Sequence, residues 1–167
     1  GQGIYSRDTI EAIPDGAQVV VRAHGITRQQ QEQLEQKGCR IVDATCPHVA
    51  RIHRIVEEES AKGRHILIIG SRAHPEVVGI ASRCGQHTVL ENLEEVAEFI
   101  KNLEEKPLSV VAQTTFNREI FVNCTNLLKN TCKSIGIFDT ICNATDERQR
   151  EARILAAESD AVIVIGD

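Results

Sequence analysis

Ile41-Val42-Asp43-Ala44-Thr45-Cys46 and Ile137-Phe138-Asp139-Thr140-Ile141-Cys142 are near-copies of one phrase, a short apolar run that passes through Asp and closes on Cys. A long polar stretch with helical spacing follows each of them. A short apolar run in front of a helical pattern reads as a buried strand of a βαβ unit, so both thiols are expected at the carboxyl end of a strand. Open α/β sheets bind their ligands at that end. A cysteine at a helix start also meets the positive end of the helix dipole, which favours the thiolate that metals bind. Two thiols placed alike point to a shared inorganic centre.

The same alternation extends in both directions. Strands are expected at Gln18 to Arg22, Arg40 to Asp43, His65 to Gly70, Ser109 to Ala112, Ile135 to Phe138 and Ala161 to Ile165. Helical patterns fill the gaps. Thr27-Arg28-Gln29-Gln30 fits a capping box, and Gly38 marks the stop of that helix. Pro47 and Pro75 each open a helix, the first ending near Gly63 and the second carrying Glu76 in its first turn. Further helices are expected at Leu93 to Lys101, Arg118 to Asn130 and Asp146 to Glu158. The fold class is therefore α/β, with parallel sheets flanked by helices.

Composition bounds the rest. The chain has 167 residues, 41% of them hydrophobic, enough for one domain or two small lobes. A formal charge of −5 and 3% aromatic residues argue against a nucleic-acid surface, which wants a basic face and stacking rings. No apolar run reaches the length of a membrane span, and Gly1-Gln2-Gly3 does not resemble a signal peptide, so a soluble cytoplasmic protein is expected. In a reducing compartment six cysteines read as free, metal-bound or redox-active thiols. The lack of any methionine and a buried-strand pattern that stops at Asp167 lead us to expect a portion of a longer protein.

The expected strands run out into Ala23-His24-Gly25, Thr45-Cys46-Pro47, Ala73-His74-Pro75-Glu76, Gln113-Thr114-Thr115 and Thr140-Ile141-Cys142-Asn143. One edge thus collects thiolate, imidazole, carboxylate and hydroxyl groups. A lone buried cysteine is more often core than ligand, and a lone loop histidine is more often structural than functional. Repetition at equivalent strand ends singles out Cys46, Cys142, His24 and His74. Cys39, Cys84, Cys124 and Cys132 lack such placement, as do His48, His53, His65 and His87, and structural or exposed roles are expected for them. Glu76 can be a favourable first-turn charge or a proton donor. Thr114 and Thr115 can cap a turn or bind a substrate hydroxyl. No Gly-x-Gly-x-x-Gly, Walker lysine loop, Gly-x-Ser-x-Gly elbow or Cys-x-x-Cys pair is present.

Taken together, Ala23-His24-Gly25, Asp43-Ala44-Thr45-Cys46-Pro47, Ala73-His74-Pro75-Glu76-Val77, Gln113-Thr114-Thr115 and Asp139-Thr140-Ile141-Cys142-Asn143-Ala144-Thr145 closely resemble the 4-hydroxy-3-methylbut-2-enyl diphosphate reductases, the last enzymes of the non-mevalonate isoprenoid pathway. The resemblance spans essentially the whole chain. It implies a trefoil of three α/β lobes around an iron–sulfur cluster, of the 4Fe–4S type, held by three cysteines. Cys46 and Cys142 are two of those ligands by this resemblance. His24 and His74 line the diphosphate pocket, Glu76 serves the proton relay, and Thr114 or Thr115 meets the hydroxyl end of the substrate. Electrons would come from a small carrier such as ferredoxin or flavodoxin.

The family's first cluster cysteine, a further pocket histidine and the Ser and Asn residues that grip the diphosphate have no counterpart in this sequence. Residues 1–46 are expected to be the remainder of a first lobe, 47–141 a second lobe and 142–167 the beginning of a third. By itself this polypeptide is expected to be inactive. The competing readings are an α/β metal-binding module that holds zinc through Cys46, Cys142 and a histidine, and a structural portion with inert cysteines.

Overall fold

His65–Ile69 and Leu108–Ala112 are the two central strands, and nearly every residue in them is buried. That is the pattern of parallel strands covered on both faces. The computed structural model describes residues 3–7, 9–103 and 106–163. In chain order the elements are a single 3-10 turn at Ile10–Ala12, then β1 (Gln18–Val21), α1 (Arg28–Gln36), β2 (Arg40–Asp43), α2 (Pro47–Ala61) and β3 (His65–Ile69). After these come α3 (Pro75–Ala81), β4 (His87–Leu90), α4 (Leu93–Lys101), β5 (Leu108–Ala112), α5 (Arg118–Thr131), β6 (Ile135–Ile137) and α6 (Asn143–Glu158).

All strand pairs are parallel and form two sheets, β1-β2 and β4-β3-β5-β6. In the smaller sheet Val21 pairs with Asp43. In the larger, Ile69 lies between Leu90 and Ala112. Alternate residues of β3 and β5 point to opposite faces. Ile66, Ile68 and Val111 pack with Ile52 and Val56 of α2 and with Val77 and Ile80 of α3. Leu67, Ile69, Leu108, Val110 and Ala112 pack with Val96 of α4 and with Phe121, Cys124 and Leu128 of α5. α2 therefore leaves the small sheet and covers the large one. α6 is almost wholly exposed, with Ile154 and Leu155 open on its surface.

Local signals account for the helix starts. The Thr27 side chain accepts from the Gln30 N–H while the Gln30 side chain accepts from the Thr27 N–H, a complete capping box. Pro47 and Pro75 occupy first-turn positions, where a missing N–H costs nothing. The chain differs from the sequence-based expectation in three places. β4 was unanticipated because it is a four-residue strand at the edge of its sheet, with little apolar content beyond Val89 and Leu90. α6 begins at Asn143, three residues before Asp146, because Cys142 acts as its N-cap. The strand expected at Ala161 to Ile165 is not formed over Ala161 to Ile163, and Val164 and Ile165 lie outside the described residues.

Candidate active site

The order β4-β3-β5-β6 fixes where a ligand can enter. From β3 the chain turns toward β4 at one edge, and from β5 it turns toward β6 at the other. The loops that leave the carboxyl ends of β3 and β5 thus diverge, and this topological switch point is where open α/β sheets form their crevice. The β3 loop carries His74 and leads to Glu76, and the β5 loop carries Thr114 and Thr115.

Glu76 and Thr114 meet across that divergence. The Thr114 N–H lies 2.6 Å from Glu76 Oε1, and Thr114 Oγ1 lies 2.7 Å from Glu76 Oε2. Glu76 is 3% exposed and Thr114 6%, so the pair sits where water does not compete. The Cys142 N–H in turn donates to the Thr114 carbonyl at 2.9 Å. Carboxyl, hydroxyl and thiol residues from three segments are strung on one hydrogen-bonded path. Thr115, by contrast, is exposed, and its hydroxyl accepts from Gln113 Nε2 at 2.8 Å.

His74 is the N-cap of α3, and its Nδ1 accepts the Glu76 N–H at 3.2 Å. An accepting Nδ1 leaves the ring proton of neutral His74 on Nε2, free to donate. His24 is set the other way. Its Nδ1 faces the Gly25 carbonyl at 2.8 Å and must be the donor, so Nε2 accepts in the neutral ring and donates once the ring is doubly protonated. His24 lines a cavity of about 470 Å³ together with Ala73 and Pro75, the two neighbours of His74. The small-sheet loop and the α3 start therefore share one cleft.

Cys46 and Cys142 are both helix N-caps, of α2 and α6, and neither side chain makes a capping hydrogen bond. The Cys46 N–H is tied to the Ala23 carbonyl at the end of β1, next to His24. His48, two residues past Cys46, shares a cavity of about 160 Å³ with Thr140, Ile141 and Asn143, which surround Cys142. Between β2 and Cys46, Asp43 accepts from both the hydroxyl and the N–H of Thr45, which hold its carboxyl below the usual range. As sites for an iron–sulfur cluster, two uncapped thiols at helix starts have the right donor chemistry. They do not make a full set: among the described residues no three His, Cys, Asp or Glu side chains gather closely enough to hold a metal ion. Cys84, Cys124 and Cys132 are structural in character, since burial pushes Cys84 up to about 12 and also raises Cys124 and Cys132.

Sequence reasoning expected only a structural or exposed role for His53, which is buried and whose Nε2 has no hydrogen-bond partner among the described residues. The available signal was its position on α2 seven residues after Cys46, two turns along the same helix face.

Comparison with known proteins agrees with this fold. The reductase structure from Plasmodium falciparum, titled for E-1-hydroxy-2-methyl-but-2-enyl-4-diphosphate, superimposes with a TM-score of 0.83 at 30% identity, over 96% of this chain and 51% of that one. A second structure, described as (E)-4-hydroxy-3-methyl-but-2-enyl diphosphate reductase, gives 0.76 at 36% identity, over 95% of this chain and 57% of that one. The 4-hydroxy-3-methylbut-2-enyl diphosphate reductase of Clostridioides difficile (strain 630) is 37% identical over 99% of this chain and 59% of its own length. The Helicobacter pylori (strain Shi470) reductase is 41% identical over 92% of this chain and 56% of its own length. The chain thus spans a little over half the length of the curated relatives it matches. A family model described as LytB protein matches residues 2–167, and the chain belongs to that family.

Proposed function

We propose that this chain is a portion of a reductase that converts 4-hydroxy-3-methylbut-2-enyl diphosphate to isopentenyl and dimethylallyl diphosphates. The supporting observation is the buried Glu76–Thr114 pair at the switch point, joined through the Thr114 carbonyl to Cys142. The net reaction replaces the allylic C–O bond with C–H, consuming two electrons and two protons and releasing water.

Cys46 and Cys142 would be two thiolate ligands of a 4Fe–4S cluster, with the remaining ligand drawn from outside the described residues. When bound, the cluster supplies the electrons and a Lewis-acidic iron, which side chains lack. Glu76 would serve proton delivery to the departing oxygen by way of the Thr114 hydroxyl, which donates to Glu76 Oε2 on a short path shielded from bulk water. Thr114, already bonded to Glu76, suits that role better than the exposed Thr115. His74 offers its Nε2–H to the diphosphate, and His24, whose Nδ1 is held by the Gly25 carbonyl, presents its Nε2 edge to the same anion. Residues 1–46, 47–141 and 142–167 correspond to a first-lobe remainder, a second lobe and the start of a third. Reducing equivalents would come from a small carrier such as ferredoxin or flavodoxin.

A zinc-binding module is the weaker reading, because it needs a complete donor set from this chain and the described residues gather none. The test is the full-length protein, reconstituted anaerobically and assayed with substrate and reduced methyl viologen. Turnover with iron and acid-labile sulfide present supports the reading, and zinc without sulfide or turnover overturns it.

A further inference from the structure

His53 occupies the seam where the His24 loop meets α3, the helix that carries His74 and Glu76. The residue is 9% exposed. A β-carbon built at Gly25 would lie only 3.0 Å from His53 Cε1, and Gly25 has a φ of +77°, a conformation that side chains rarely adopt. A β-carbon at Gly79 of α3 would lie 3.7 Å from His53 Nε2, 3.7 Å from the Ile26 carbonyl oxygen and 3.9 Å from the His24 carbonyl oxygen. Adjacent atoms of the ring edge therefore face two glycines, one beside His24 and one in the helix that His74 caps. Each glycine leaves the space that a side chain would have filled.

The seam is also tied beyond the ring. Arg83, just past α3, donates to the Ile26 carbonyl at 3.2 Å and pairs with Glu57 at 3.6 Å. The Arg28 N–H donates to Ser82 Oγ at 3.1 Å, and Ser82 Oγ donates to the Gly79 carbonyl at 2.7 Å. These bonds clamp the loop to the far end of α3 and leave the spacing near His24 to the wedge between them. Among the described residues His53 Nε2 has no hydrogen-bond partner, although carbonyl oxygens of His24 and Ile26 surround the same point over Gly79.

We infer that His53 is a positioning residue for substrate binding: the edge of its buried imidazole sets how far the His24 loop stands from the helix that carries His74 and Glu76. The inference rests on the function proposed above. His53 touches neither thiol ligand nor the Glu76–Thr114 pair in any described contact, so removing it displaces the anion-binding histidines and leaves the proton path in place. Burial, reinforced by Arg83, holds the ring neutral down to about pH 4, as a fixed spacer should be.

The experiment measures kcat and KM of the full-length protein for 4-hydroxy-3-methylbut-2-enyl diphosphate, with iron content and melting temperature recorded for each variant. His53→Ala should raise KM by about tenfold and leave kcat within about threefold, because displacing a binding group by a fraction of an ångström weakens binding before chemistry. His53→Gln, which returns an N–H near the Nε2 position, should recover most of the loss. If His53→Ala does not fold, His53→Leu against His53→Gln decides the matter, with KM raised only in the leucine variant. An active wild type whose KM is unchanged in the alanine and leucine variants overturns the positioning role and leaves the proposed function standing. A fall in kcat and iron content with KM constant also overturns it, as the mark of a merely structural residue. A wild type with no turnover overturns both readings.

Discussion

Replacing Thr114 with valine removes one hydroxyl and little else, which makes it the cleanest probe of the switch-point pair. The two side chains have nearly the same shape, and the Thr114 N–H would still reach Glu76 Oε1 at 2.6 Å. Glu76 Oε2 would lose its partner at 2.7 Å in a site where the carboxyl is 3% exposed. Leaving a buried acceptor unsatisfied costs about 1–3 kcal/mol, so Thr114→Val should lose about 2 kcal/mol. For a chain of this size that lowers the melting temperature by about 4–8 °C. Thr114→Ser keeps the hydroxyl and should lose less than about 1 kcal/mol. Glu76→Gln can still accept the Thr114 N–H, and its amide can donate to Thr114 Oγ1. It should therefore stay within about 1 kcal/mol of wild type while lowering kcat of the full-length enzyme by about 10²–10⁴, the range for a lost proton donor. The chain has no tryptophan, so urea denaturation followed by far-UV circular dichroism is the suitable assay. A Thr114→Val variant within 0.3 kcal/mol of both wild type and Thr114→Ser would refute the burial argument (threshold about half the smallest hydrogen-bond contribution).

Three further predictions concern the seam and the thiols. The imidazole of His53 is lowered from 6.5 to about 4, first by burial and then by Arg83, against opposing effects of Glu57 and Asp43. Its contribution is therefore fully present above pH 6.5 and is lost as the pH falls toward 4. The full difference amounts to at most about 3 kcal/mol. Denaturation midpoints of wild type and His53→Gln should converge over that window, and parallel curves would contradict the assignment. Gly25→Ala should destabilise by about 1–2 kcal/mol through its positive φ and the approach to His53, and double substitution with His53→Ala should relieve the contact but not the backbone strain. Brief iodoacetamide treatment at pH 8.5, mapped by mass spectrometry, should leave Cys84 unlabelled in the folded chain, because its thiol is pushed up to about 12 and donates to the Ile80 carbonyl. Rapid labelling of Cys84 without unfolding would show that its burial is overstated.

What the sequence by itself determined is local. Apolar runs of four or five residues and the punctuation at Thr27, Pro47 and Pro75 placed five strands and the helix starts, because capping and periodicity act over one or two turns of chain. The motifs that carry His24, Cys46, His74, Glu76 and Cys142 were legible for the same reason, each being a strand end read within a few residues. Strand order was not legible. Whether β3 pairs with β4, β5 or both depends on which faces the crossover helices bury, and residues far apart in sequence decide that. The four-residue β4 escaped notice because an edge strand has too few apolar positions to show a period. Only the order β4-β3-β5-β6 brings Glu76 to Thr114, 38 residues along the chain. Only the packing of α2 against α3 and the Gly25 loop brings His53, expected from sequence to be structural or exposed, against Gly25 and Gly79. The chemistry was written in short motifs, and the distances at which it operates come from tertiary packing, since burial is a property of the whole chain.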